Sequence, residues 1–299
     1  MAHSPQIEFY KKRQFGDKVN ATFTFLRENA WPFIKIQLMI AGPILLLVRI
    51  LMNQLSFSLI GFNPDEISAN MIIDFIQLYG LMLLSTLVTA TLAPILTYGY
   101  MKAYQENAPG DITPAIVMKD LASKFFNLLG FNILMYIVVI IASLFFLIPG
   151  LYVFIVLSLG SSIIIFENNN PIDAFGRAFT LISGKWWSTF GLIIVMGIIG
   201  YVISMFFSLP RTLLYGVKMF TTVVEGGEIS TFSDMSTGEQ ALNILFSVLE
   251  TFGGILLYSL SYIALAFQYF NLVERRESRG LMSQIQGMDQ SSTDEDERY

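Results

Sequence analysis

GKWWSTFGLIIVMGIIGYVISMFFSLP, Gly184–Pro210, decides the fold. From Trp187 to Leu209 it is an apolar run, and it opens on Lys185 followed by two tryptophans. A helix rising ~1.5 Å per residue needs ~20 apolar residues to cross a ~30 Å hydrocarbon core. Trp beside Lys is the anchor pattern where such a helix meets the membrane surface. Five further runs read the same way: Trp31–Met52, Met71–Tyr100, Phe125–Ile148, Leu151–Phe166 and Ala241–Phe270. Leu151–Phe166 has 16 residues, so it must start below the far surface or borrow from its flanks. The expected fold is all-α, a polytopic six-helix transmembrane bundle.

Orientation follows from the basic residues. Of the 18 Lys and Arg, 14 fall in the N-terminus, the C-terminus and the loops after the second and fourth runs. The first outer loop, Asn53–Asn70, has none, and Pro210–Gln240 has only Arg211 and Lys218. The positive-inside rule places both termini in the cytoplasm, and an even number of spans agrees. The chain then divides into residues 1–30, a cytoplasmic N-terminus with an interfacial helix; 31–270, the membrane domain; and 271–299, a cytoplasmic tail. The tail is acidic and Ser-rich, so disorder is expected from about residue 283. The polar, basic first thirty residues are not a cleavable signal, and the first span should act as an uncleaved anchor. A bacterial cytoplasmic (inner) membrane is the expected location.

Composition narrows the chemistry. The chain is 54% apolar and 14% charged, against ~25% charged in soluble domains. No hydrophilic stretch is long enough for a separate catalytic domain. There is no Cys and one His, His3. Thiol nucleophiles, disulfides and imidazole-based metal sites are excluded, and no cofactor is expected. The net charge of −5 hides a segregation of basic residues inside and acids outside and in the tail.

A threefold pattern runs along the chain. FGDKVNATFTFLREN, DITPAIVMKDLASKFF and NPIDAFGRAFTLISGKWW each carry an apolar stripe at helical spacing and each precede an odd-numbered span. Such stripes suit helices lying in the membrane interface. The third has boundary signals: Asn170 to cap, Pro171 at the first position and Gly184 to close. The repeating unit reads as elbow helix, span, outer turn, span. Arg211–Val224 departs from it and is expected to form a separate outer-surface helix, followed by a polar loop over Glu225–Gln240.

The segment Ile148–Val195 resembles the membrane-domain family named after glycerophosphoryl diester phosphodiesterase, and related uncharacterised bacterial inner-membrane proteins. The resemblance rests on Pro149, Gly150, Glu167, Pro171, Ala174, Arg177, Gly184, Lys185 and Trp186. The closing YFNLVERRE (Tyr269–Glu277) and the opening RQFGDKVNATFTFLREN look similar as well. Ala178 follows Arg177 where the family commonly has Ser. The resemblance implies a stand-alone membrane domain without the catalytic barrel. From the residues alone, Pro149–Gly150 gives a tight outer turn, and Glu167 pairs with Arg177 or Lys185 to fix the elbow.

Three ionisable residues lie within the runs: Arg49, Asp74 and Glu250. Charged groups in spans are costly and usually face protein or water. Arg49, Asp74 and Glu250 lie toward the outer half, where all three can meet, and together they are the candidate intramembrane polar site, with an Arg49–Glu250 contact within it. Gly42–Pro43 and Pro94 should bend their helices. Gly197, Gly200 and Ser204 make a small-residue face on the fifth span and Gly253–Gly254 one on the sixth, so a close approach of these two spans is expected.

The expected function is non-enzymatic: a scaffold, accessory subunit or membrane-organising factor. The alternative is a transporter or lipid-handling channel that uses a polar site near Glu250. Membrane lipids are the expected partners, with a second membrane protein or a second copy of the chain beside them, and no nucleic acid. A cavity reaching Glu250 would favour the alternative, and a solid bundle the scaffold.

Overall fold

A computed structural model of the chain describes residues 7–58, 69–107, 110–119, 121–224 and 236–280, with 282 and 285 beyond them. All regular structure among the described residues is helical. In chain order the helices are α1 (Phe15–Ile40), α2 (Gly42–Ser58), α3 (Ala69–Glu106), α4 (Pro114–Met118), α5 (Leu121–Phe145), α6 (Leu147–Leu157), α7 (Gly160–Glu167), α8 (Pro171–Ile182), α9 (Trp186–Val224) and α10 (Thr237–Glu277). Five stretches are long and apolar enough to cross a membrane: Phe75–Glu106, Lys124–Leu144, Leu147–Glu167, Trp186–Lys218 and Thr237–Glu277. A sixth exists if Phe15–Ile40 and Gly42–Met52, bent by 55°, count as one span. The chain is a multi-pass membrane protein built as a helical bundle.

Local signals place the helix starts. Asn170 Oδ1 accepts from Asp173 N at 2.9 Å, and Pro171 fills the first position of α8. Thr113 and Pro114 do the same for α4. Ser236 and Glu239 cap α10 reciprocally. At each start an orphan backbone N–H is satisfied, and in α4 and α8 the first-position proline costs no hydrogen bond. Gly184 closes the α8 region at φ +72°, a left-handed conformation that favours glycine.

Several boundaries differ from the sequence reading. The first elbow does not stop at residue 30, because α1 runs unbroken from Phe15 to Ile40. The expected bend at Gly42–Pro43 is present, and α2 starts there as a separate helix. The second elbow shrinks to the five residues of α4. The fourth span begins at Leu147, so Pro149 and Gly150 lie inside the first turns of α6 and not in a turn. The chain reverses at Phe146, which caps α6 in extended conformation. Gly150 is needed for approach instead: a Cβ there would overlap Ser143 Oγ and sit 3.1 Å from Ser143 Cα.

The expected outer-surface helix at Arg211–Val224 is the continuation of α9. Pro210 removes one helical hydrogen bond, but α9 packs along α10, and Arg211 is tied across to that helix at Asn243 and Glu250. Tertiary contact overrides the local break. At ~1.5 Å per residue, the 39 residues of α9 and 41 of α10 far exceed a ~30 Å core. The expected polar loop lies outside the described residues at 225–235, and Ser236–Gln240 belongs to the start of α10. The tail expected to be disordered from about 283, and His3, also lie outside the described residues.

The core gathers at the basic end of the bundle. Phe25, Phe33, Tyr100, Tyr104, Phe267 and Phe270 are fully buried there. Phe9, from the segment before α1, enters the same cluster, with its ring 5.0 Å from Phe270 and stacked at 6.0 Å on Tyr104. Ile7, Phe9 and Tyr10 are thus part of the packed body. Of the expected small-residue faces, Gly200 and Gly253 lie at the close contact of α9 and α10: a Cβ on Gly200 would overlap Leu257, and one on Gly253 would lie 2.8 Å from Phe207 Cβ, whereas a Cβ on Gly197 or Gly254 would meet nothing within 4 Å.

Candidate functional site

Two polar constellations and one cavity stand out along the bundle. At the basic end, Glu167 closes α7 and Arg177 faces it from α8. Arg177 Nε donates to Glu167 Oε2 at 2.9 Å and Nη2 to Oε1 at 2.8 Å. Tyr269 donates its hydroxyl to Glu167 Oε1 at 3.0 Å. Arg177 also pairs with Glu277, which accepts from Arg279 at 2.7 Å. The hydrogen bonds to Glu167 hold the Arg177 guanidinium charged beyond its ordinary range, against the opposing effect of burial. The closing stretch Tyr269–Glu277 therefore docks onto the Glu167–Arg177 pair.

The other residues singled out around this motif are structural in their contacts. Ala174 is fully buried. Lys185 is not an ion-pair partner of Glu167, whose pairs are with Arg177 and Arg279. Trp186 stacks on Tyr152 and Phe190 at 5.7 and 5.2 Å, and its Nε1 donates to Tyr152 O at 3.3 Å. Neighbouring Lys18 was not singled out from sequence. It is buried, and its Nζ donates to Ser188 Oγ at 2.8 Å and Gln268 Oε1 at 2.6 Å, tying α1 to α9 and α10.

Toward the opposite end, Arg49 on α2 and Glu250 on α10 form an ion pair. Arg211 on α9 joins them, its Nη1 3.0 Å from the same oxygen, Glu250 Oε2. Arg211 Nε donates to Asn243 Oδ1 at 3.2 Å, and its guanidinium stands 5.3 Å from the centre of the Tyr215 ring. Asp74 lies on α3, but its side chain is outside the described residues. Sequence reasoning missed Arg211 because Pro210 suggested a new element beginning there. A pocket of about 160 Å³ opens beside Arg49 and Glu250, with Ser85, Thr89, Thr251 and Tyr258 in its wall.

A mostly apolar, partly open pocket of about 250 Å³ lies between α5, α6, α9 and α10. Met135, Leu192, Met196 and Leu265 line it, with Ser161 and Ser261 among its few polar groups. Gly197 contributes bare backbone, and a Cβ there would meet nothing within 4 Å. Tyr258 lines both this cavity and the polar pocket. One side chain therefore stands between an apolar chamber and a charged one.

A family model described as a domain of unknown function, DUF7847, matches residues 112–271, more than half of the chain. The chain belongs to the DUF7847 family. The DUF7847 region contains the Glu167–Arg177 pair, Arg211, Glu250 and most of the cavity lining, whereas Arg49 lies before it. No curated protein and no solved structure matches the chain.

Proposed function

We propose that this protein is a non-enzymatic, lipid-handling protein of the bacterial inner membrane, taking an amphiphile into its bundle. The observation that carries this reading is the 250 Å³ apolar pocket, which shares Tyr258 with the pocket at Arg49 and Glu250. Protein interiors are close-packed, so a mostly apolar, partly open space of this size offers room for an apolar chain. A rigid scaffold gains nothing from such a space. The cavity lies just below the ~300–1,000 Å³ typical of small-molecule pockets, a size that suits part of an acyl chain. Its apolar walls with a polar group at one side match an amphiphile.

The rest of the proposal follows from sequence. The concentration of Lys and Arg supports six spans with both termini in the cytoplasm. A three-unit arrangement of elbow and hairpin is part of the reading. So is kinship with the membrane domain named after glycerophosphoryl diester phosphodiesterase, which the meeting of Glu167, Arg177 and Tyr269–Glu277 supports. A chain without Cys and with a single His favours binding over hydrolysis. A second reading, an accessory subunit or scaffold, is favoured by the bonded clamp at the basic end.

Native mass spectrometry of the purified chain tests the choice. Retained lipid in the wild type, lost in Gly197→Phe, is the expected result, because the new ring would fill the cavity. Equal lipid retention in both proteins would reject the cavity as the binding place and leave the scaffold reading.

A further inference from the structure

The charged pocket has a specific asymmetry. Arg49 and Arg211 both converge on a single carboxylate oxygen, Glu250 Oε2. Two guanidinium groups thus share one carboxylate, within a helical bundle whose outward surface is apolar. Arg49 Nε is buried and has no hydrogen-bond partner, although a buried donor left unmade is costly. Yet the Arg49 side chain as a whole is 40% exposed, and it lines the open 160 Å³ pocket. The hydroxyl-bearing Ser85, Thr89 and Thr251 line the same space.

We infer that this pocket receives the phosphate of an anionic phospholipid, with Arg49 as its principal ligand and the lipid's chain running past Tyr258 toward the apolar cavity. The inference rests on the lipid-handling reading and adds the headgroup. A guanidinium presents a planar fork of donors that matches two oxygens of a phosphodiester. The incoming anion presents its oxygens to Arg49 from the open side of the pocket. A zwitterionic headgroup fits less well, because Glu250, the carboxylate at this pocket among the described residues, already serves both arginines. A lipid, as opposed to free phosphate, is indicated by continuity. From Glu250 to Leu265, α10 passes successively along the polar pocket, Tyr258 and the apolar cavity, ~22 Å along the helix axis.

The test is a thermal-shift titration of the purified full chain in a neutral detergent. Dioleoyl phosphatidylglycerol, dioleoyl phosphatidylcholine and inorganic phosphate are the probes. At a hundredfold excess over its Kd, phosphatidylglycerol should raise the wild-type midpoint by about 5 °C or more. Phosphatidylcholine should give a clearly smaller shift, and inorganic phosphate none. Arg49→Gln should bring phosphatidylglycerol down to the phosphatidylcholine shift. Arg49→Lys keeps a cation beside Glu250 but lacks the fork, so it should also lose most of the preference even if Arg49→Gln folds poorly. An undiminished preference in Arg49→Lys would overturn the inference. So would a phosphate shift equal to that of phosphatidylglycerol, which would place a free anion there. Gly197→Phe separates the two levels. Equal shifts with both lipids, abolished by Gly197→Phe, would reject the headgroup site while leaving lipid handling intact. Shifts with both lipids that Gly197→Phe leaves unchanged would remove the underlying reading and this inference with it.

Discussion

Arg177 holds both carboxylate oxygens of Glu167, at 2.9 and 2.8 Å, and so joins the end of α7 to the middle of α8. Ten residues separate the two in sequence, and the left-handed Asn168 between them turns the chain back. The pair is partly buried, with side-chain exposures of 22% and 10%. It is worth more than a surface ion pair of ~0–1 kcal/mol and less than the ~3–5 kcal/mol lost on breaking a fully buried one. Arg177→Gln is expected to cost about 2 kcal/mol, in the range of charge-assisted hydrogen bonds. Arg177→Lys should recover less than half of that, since lysine cannot bond both oxygens side by side. Thermal unfolding in detergent reads both values. Full recovery by lysine would mean that charge alone, without the fork, holds the elbow.

The glycines of α10 give an internal control. At Gly253 a Cβ would press on Phe207 Cβ and Cγ at 2.8 and 3.0 Å, and neither atom can swing away cheaply. At the adjacent Gly254 it would meet nothing within 4 Å. Gly253→Ala is therefore expected to lose about 1–3 kcal/mol through overpacking. Gly254→Ala should be neutral, or gain up to ~1 kcal/mol from helix propensity. Equal effects at the two positions would show that α9 and α10 do not approach as closely as their contact implies.

Glu250 binds two arginines, and this changes what a mutant cycle should show. Glu250→Gln removes the carboxylate that both guanidiniums share, so the loss should exceed ~1 kcal/mol while staying below the ~3–5 kcal/mol of a dry pair, because the pocket is open. Adding Arg49→Gln should recover only part of the loss, since Arg211 remains beside the amide. The triple variant with Arg211→Gln should recover more. Coupling energies from thermal midpoints of the single, double and triple variants test the order. Strict additivity would mean that the groups do not interact.

The sequence made the membrane class, the α8 boundaries and the Glu167–Arg177 pair legible, because each rests on local rules: apolar length, a cap with a following proline, and opposite charges flanking a short turn. The Arg49–Glu250 contact was legible for another reason, since charges within apolar runs have few places to go. What escaped depended on partners far along the chain. Pro210 reads as a break, yet α9 continues because α10 supports it. Pro149–Gly150 reads as a turn, yet Gly150 serves helix crossing against Ser143. Phe9 looked like part of a polar leader, although Ile7, Phe9 and Tyr10 form an apolar cluster there. The cavity had no sequence signature, since its lining comes from α3, α5, α6, α7, α9 and α10.

Phe9 offers a direct measure of how far the N-terminal segment belongs to the body. It is 4% exposed and meets Phe25, Tyr104, Phe267 and Phe270. Phe9→Ala should cost about 3–5 kcal/mol, as for other buried phenylalanines. A loss under 1 kcal/mol would mean that the segment is dispensable to the packing.

Topology rests on charge, and the absence of cysteine makes it open to clean labelling. The basic residues divide 14 to 2 between the two sets of loops, leaving aside Lys35 and Arg49 within the first span. Juxtamembrane Lys and Arg are retained on the cytoplasmic side during insertion, so the rarer side is the one translocated. A single Ser68→Cys or Ser230→Cys change, each between spans on the side poor in Lys and Arg, should react with a membrane-impermeant maleimide in intact cells. Ser283→Cys should react only after the cells are opened. Labelling of Ser283→Cys from outside would invert the bundle. It would also move the Arg49–Glu250 pocket to the inner leaflet, where an anionic lipid would have to be supplied from the cytoplasmic side.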